Sequence, residues 1–246
     1  MKTLTLTLAI SAALASPLAD AHGNKHQGGI QADSSNAVRS AFDIVHAKVS
    51  AKGNVATFHM GVKGAAGGAK PALNGKLGGA EAYAYVWPTS INAYEVGFDK
   101  DAGILALAVA SHPDFDDTPL FDENNDNDTG NDGGVWHSHW VVLVPDERCG
   151  PGALTVKDIP EGSNPRLPAT WPGLPILLDS PGWDPVLEGD TVEIKVPFAS
   201  ADVLSGVSYD GVTAGLRVNA NIHAPLFCVV DVMDVASGDL SLPGKI

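Results

Sequence analysis

The chain has 246 residues, with 29 acidic against 15 basic side chains and a formal charge of −14. So large an acidic excess argues against nucleic acid or an anionic membrane as partner, and favours solubility or attraction of cations. The sequence also lacks a GxSxG elbow, a P-loop, a GxGxxG turn and an HExxH helix, which removes the commonest hydrolase, nucleotide and metalloprotease readings.

The chain starts with Met1-Lys2, followed by an uncharged apolar or hydroxylic run from Leu4 to Leu14 and then by small residues. This is the layout of a secretory signal peptide, too short to anchor as a spanning helix. Small-x-small sites allow cleavage after Ala15 or after Ala21, and the second, taken as residues 1–21, would expose His22 as the new N-terminus. The expected location is the periplasm, the cell surface or the medium, without a membrane span and with surface association left open. Residues 22–40 are polar and rich in Gly, Gln, Ser and His, and read as a flexible tail. Residues 41–246 read as a single domain.

Phe42–Ser50 and Asn54–Val62 alternate at period two around Ala51-Lys52-Gly53-Asn54, which signals a hairpin. Gly64–Gly79 reads as a loop. Further strands are expected over Ala82–Trp87, Ile104–Ala110, Val135–Val144, Thr191–Val196, Thr213–Ile222 and Leu226–Val232. Clusters of Pro, Gly and Asp separate them, including the connection from Pro160 to Pro185, and no long 3.6-residue rhythm appears. The pattern predicts an all-β fold, an antiparallel β-sandwich with Greek-key links, long loops and one disulfide. Cys149 and Cys228 are the only cysteines. In an oxidising compartment they read as that disulfide, the alternative being two buried thiols.

Eight histidines occur, at positions 22, 26, 46, 59, 112, 137, 139 and 223. Residues i and i+2 of a strand share a face, so His137 and His139 in Trp136-His137-Ser138-His139-Trp140 point the same way, with the tryptophans on the other side. Such a pair is a two-ligand start for copper or zinc, to be closed by a neighbouring strand. His223, His59, His46 and His112 are the candidates to close it. If Lys52-Gly53 form the centre of the hairpin turn, His46 lies opposite His59. The acidic stretch Asp122, Asn124, Asp126 and Asp128 spaces oxygen ligands at alternate positions and is a candidate calcium loop, with Asp114, Asp116 and Asp117 upstream. Gly133 stands where an EF-hand has its bidentate glutamate.

Three resemblances bear on function. Secretion, β-rich character and histidines beside tryptophans resemble the surface copper(I)-binding proteins of methanotrophs. Those hold copper with two histidines and a kynurenine made from a tryptophan two residues before a ligand. Here His137 stands two before His139 and Thr57 two before His59, so no kynurenine is carried over. A mature start at His22-Gly23 resembles the histidine brace of lytic polysaccharide monooxygenases and some periplasmic copper carriers. Trp136–Trp140 with Phe58-His59 is similar to the HxHW segment of α-carbonic anhydrases, which implies a three-histidine zinc site made of His137, His139 and His59 or His223.

The expectation is an exported metal-binding protein, copper by preference, that acquires, stores or transfers the ion. A zinc-dependent hydrolase or lyase is one alternative and a histidine-brace oxidase another. A structural or carbohydrate-contacting sandwich, binding through aromatic residues such as Trp87, Trp171 and Trp183, is the remaining one.

Overall fold

The computed structural model describes residues 28–72, 78–113, 122, 126–128, 134–221 and 223–246. The leader and its cleavage sites, His22, His26, Asn124, Asp114, Asp116 and Asp117 lie outside the described residues.

The strands in chain order are β1 (Ile30–Gln31), β2 (Ile44–Lys52), β3 (Val55–Val62), β4 (Glu81–Pro88), β5 (Ile104–Ser111), β6 (His137–Pro145) and β7 (Leu154–Val156). They continue with β8 (Leu178–Asp179), β9 (Val186–Glu188), β10 (Thr191–Pro197), β11 (Ser208–Tyr209), β12 (Val212–Val218), β13 (Phe227–Val235) and β14 (Gly244–Lys245). All pairings between them are antiparallel. The described residues contain short 3₁₀ turns and no α-helix. The fold is therefore all-β, as the alternating sequence pattern predicts.

The hairpin β2–β3 sets the register of the first sheet. Lys52 pairs with Val55, so Gly53-Asn54 form the turn rather than Lys52-Gly53. The cause is Gly53, whose φ of +62° fits the first central position of a II′ turn, where glycine alone carries no steric cost. The turn is anchored by Asn54 Nδ2, which donates to Phe198 O at 2.7 Å. The expected pairing of His46 with His59 is thus corrected: His46 faces Gly61, and His59 faces Lys48. A shift of two residues preserves the face, and the two rings still meet diagonally, with centroids 5.4 Å apart.

β1-β2-β3-β10-β9 form a five-stranded sheet. The second sheet runs β5-β4-β12-β13-β7-β6-β8, and β5 also pairs with β6. That extra pairing closes six of its strands into a barrel. The sandwich expected from sequence is therefore built from an open sheet packed on a barrel wall.

Period-two alternation divides the barrel side chains between two cores. Tyr85, Trp87, Leu105, Leu107, Val109, Trp140 and Val142 point outward and pack with Val49, Phe58, Met60, Val192 and Ile194 of the open sheet. Phe58 makes edge contacts with Trp87 and Trp140 at 5.9 and 6.0 Å, a favoured aromatic geometry. Ala84, Val86, Ala106, Ala108, Ala110, Val141, Val212 and Ala214 point inward and form a separate cluster.

The barrel's thinnest seam is between β7 and β13, which share the single register pair Cys228↔Thr155. The Cys149–Cys228 disulfide, with Cα atoms 5.4 Å apart, spans this seam and closes a loop of 79 residues in sequence separation. Chain-entropy arguments give such a loop a stabilisation of about 3–5 kcal/mol. The double variant Cys149→Ser/Cys228→Ser should lose about that much in denaturant unfolding, with amides of β7 and β13 losing exchange protection first. An unchanged midpoint would show that the seam holds without the bridge.

Candidate metal centre

β6 lies between β5 on one edge and β7 and β8 on the other. Its inward positions run His137, His139, Val141 and Leu143, opposite the inward alanines of β5: Ala110 faces His137 and Ala108 faces His139. Small residues opposite leave room for two imidazoles on the inner wall. On β5 the inward series Ala106, Ala108, Ala110 continues at period two to His112, one residue beyond the strand. Gly134 N donates to His112 O at 2.8 Å, so the chain leaving β5 and the chain entering β6 are pinned together there.

The result is a group of three histidines, His112, His137 and His139, each offering a ligand atom within 4.8 Å of the others. All three are buried, at 4%, 7% and 2% exposure. Ring centroids are 4.7 Å apart for His112–His137, 4.6 Å for His137–His139 and 5.7 Å for His112–His139. This cluster could hold a metal ion.

The hydrogen bonds orient the rings for that task. His112 Nδ1 lies 2.7 Å from Pro113 O, His137 Nδ1 2.9 Å from Val135 O, and His139 Nδ1 3.2 Å from Ser180 Oγ. The carbonyls of Pro113 and Val135 can only accept, so His112 and His137 donate Nδ1–H and keep Nε2 for a cation, and the Ser180 hydroxyl can accept from His139 Nδ1–H in the same way when a cation takes His139 Nε2. An oxygen partner on the far nitrogen is the usual companion of a histidine ligand, because it fixes tautomer and ring angle. His112 Nε2 and His139 Nε2 are 3.5 Å apart. Nitrogens bound at about 2.0–2.1 Å stand about 3.3–3.6 Å apart in tetrahedral or trigonal geometry, so this pair is already at ligand spacing.

The other sequence candidates lie elsewhere. His223 is exposed, and its Nδ1 pairs with Asp158 at 3.0 Å on the β12–β13 connection. His46 and His59 are buried together on the outer face of the β2–β3 hairpin, with His46 Nε2 2.5 Å from Gly28 O and His59 Nδ1 3.9 Å from Glu193. The residue beside His137 and His139 is His112. In the acidic stretch, the Asp122 carboxylate accepts from the backbone N–H of Asp126 and Asn127, and Asp126 accepts from Asp128 N–H. These are the bonds of an Asx-type turn, and Asn127 adopts φ +71° within it. Trp87 is fully buried and donates to His59 O, and Trp171 donates to Leu174 O, so both indoles pack within the fold. Trp183 stands edge-on to Trp140, its centroid 6.3 Å away. Ser138 points away from its histidine neighbours and donates to Trp183 O at 2.7 Å.

No protein-family model, no curated protein and no solved structure matches this chain. The centre is therefore read from its own chemistry.

Ser180 follows β8 and has no sequence signal, because it reaches His139 only through the two-residue pairing of β8 with β6. Ser180→Ala should lower metal affinity about 10–100-fold while leaving far-UV and near-UV spectra unchanged. An unaltered affinity would remove Ser180 from the centre.

Beside it, burial pushes the Asp179 carboxyl up to about 6 against the hydrogen bond from Thr170 Oγ1 at 2.6 Å. The folded state thus prefers the neutral acid. This contribution is fully present below the unfolded value near 4 and is lost as pH rises through about 6. On the order of 3 kcal/mol is at stake. In the metal-free protein, unfolding midpoints at pH 4 and 7 should differ less for Asp179→Asn than for the wild type. Equal differences would contradict the assignment.

Proposed function

We propose that this is an exported metal-binding protein that holds one transition-metal ion, copper by preference, on His112, His137 and His139, for acquisition, storage or transfer. The observation that carries the reading is the set of three buried rings, each with Nδ1 on an oxygen, that turns one nitrogen apiece toward a common point. Imidazole nitrogen suits copper and zinc and does not suit calcium or magnesium. Both thiols are committed to the disulfide, so no thiolate competes for the ion. Among the described residues the group supplies three ligands, two from β6 and one from the end of β5, and a three-nitrogen set suits an ion that must be passed on. A charge of −14 raises the local cation concentration around the centre. Export is supported by the apolar leader-like stretch and by the disulfide, which persists in oxidising compartments.

The test is metal stoichiometry on the full chain. Changing His112, His137 and His139 together to alanine should abolish the bound equivalent of copper, whereas His223→Ala should retain it. Retention of a full equivalent in the triple variant, with the fold intact, would refute the ligand set.

A zinc-dependent hydrolase or lyase is the second reading, because three nitrogen ligands leave a coordination position for water, whose pKa zinc lowers to about 7. Turnover of carbon dioxide or an activated ester by the zinc-loaded protein, lost in the triple variant, would favour it over a carrier.

A further inference from the structure

The described residues do not fill the barrel. A cavity of about 90 Å³ runs inside it, and among the described side chains that line it only His112 and His139 are polar. The rest of the lining is apolar, with Ala84, Ala108, Ala110 and Ala214 prominent. Alanine is a poor strand former, yet it recurs at the inward positions of β4 and β5 and stands inward at Ala214 of β12, while the outward positions of β4 and β5 carry Tyr, Trp, Leu and Val. If those alanines served only to let six strands close, the walls would meet. Space remains instead, and a void carries a stability cost that a few larger side chains would relieve. Val232 and Leu240 line the same cavity and are exposed at 49% and 38%, which gives it a way to the surface.

An apolar cavity of this kind stays dry, because water would find too few hydrogen-bond partners. One of roughly 150 Å³ takes benzene or xenon. At 90 Å³ the occupant is smaller than benzene. We infer that the barrel lumen binds a small apolar molecule, a dissolved gas or short hydrocarbon, in contact with the His112 and His139 edge of the three-histidine centre. Its binding energy is the burial of apolar surface against alanine and valine walls. The lumen is a site in its own right and does not need the metal to be formed. It also places a molecule without polar groups beside whatever those two rings hold.

Xenon is the probe. Xenon-pressurised crystals and ¹²⁹Xe NMR of the full chain should show one saturable position inside the barrel, bounded by Ala84, Ala108 and Ala214, in both metal-free and metal-loaded protein. Ala214→Leu, on β12 three strands around the barrel from β6, adds volume to the lumen and should abolish that position and keep the metal equivalent. Should that variant fail to fold, Ala84→Val adds less volume and should reduce xenon occupancy at a given pressure. Absence of xenon from the wild-type barrel, or unchanged occupancy in a folded filling variant, overturns the inference. Either result leaves the metal stoichiometry to be judged separately.

Discussion

Strand β6 serves two surfaces at once, and the register that holds it between β5 and β8 fixes both. Its outward residues, Trp140 and Val142, belong to the core that binds the barrel to the open sheet, and its inward residues include His137 and His139. A slip of one residue would exchange these sets. It would put two imidazoles into an aromatic core and two apolar side chains at the barrel rim. The stability of the sheet-on-barrel core thus holds the histidines in place, and the pairing with β5 brings His112 to them.

Period two made much of this legible from sequence. The eight longer strands fall close to where alternation places them, and HxH on a strand, with tryptophans facing the other way, follows from the same rule. The hairpin turn differs from the sequence expectation because a glycine with positive φ at position 53 satisfies either of two turn registers, and the pairing of Lys52 with Val55 decides between them. Strands of two or three residues, such as β8, carry too little pattern to be read. His112 belonged to the candidates, but its claim rests on the inward series of β5 and on β5 pairing with β6. The resemblance to carbonic anhydrase directed attention to His59 or His223 as the closing ligand. Barrel closure is also silent in the sequence, because it depends on an edge-to-edge pairing of strands separated by a long connection.

The chemistry of the centre follows from what surrounds it. Carbonyl and hydroxyl oxygens hold the Nδ1 atoms, so no carboxylate is needed to orient the rings, and the described residues place none within the group. A neutral three-nitrogen set, at the barrel rim and beside an apolar lumen, favours a soft or borderline ion over a hard one. The chain as a whole is acidic, with 29 acidic against 15 basic side chains, and the imidazoles sit at the rim, which separates attraction of cations from their retention.

X-ray absorption on the full chain loaded with one equivalent of copper(I) reads the ligand set itself. The expected first shell is three imidazole nitrogens at about 2.0 Å, with the outer-ring scattering that identifies histidine. A first shell of oxygens, or fewer than three imidazoles, would contradict that ligand set.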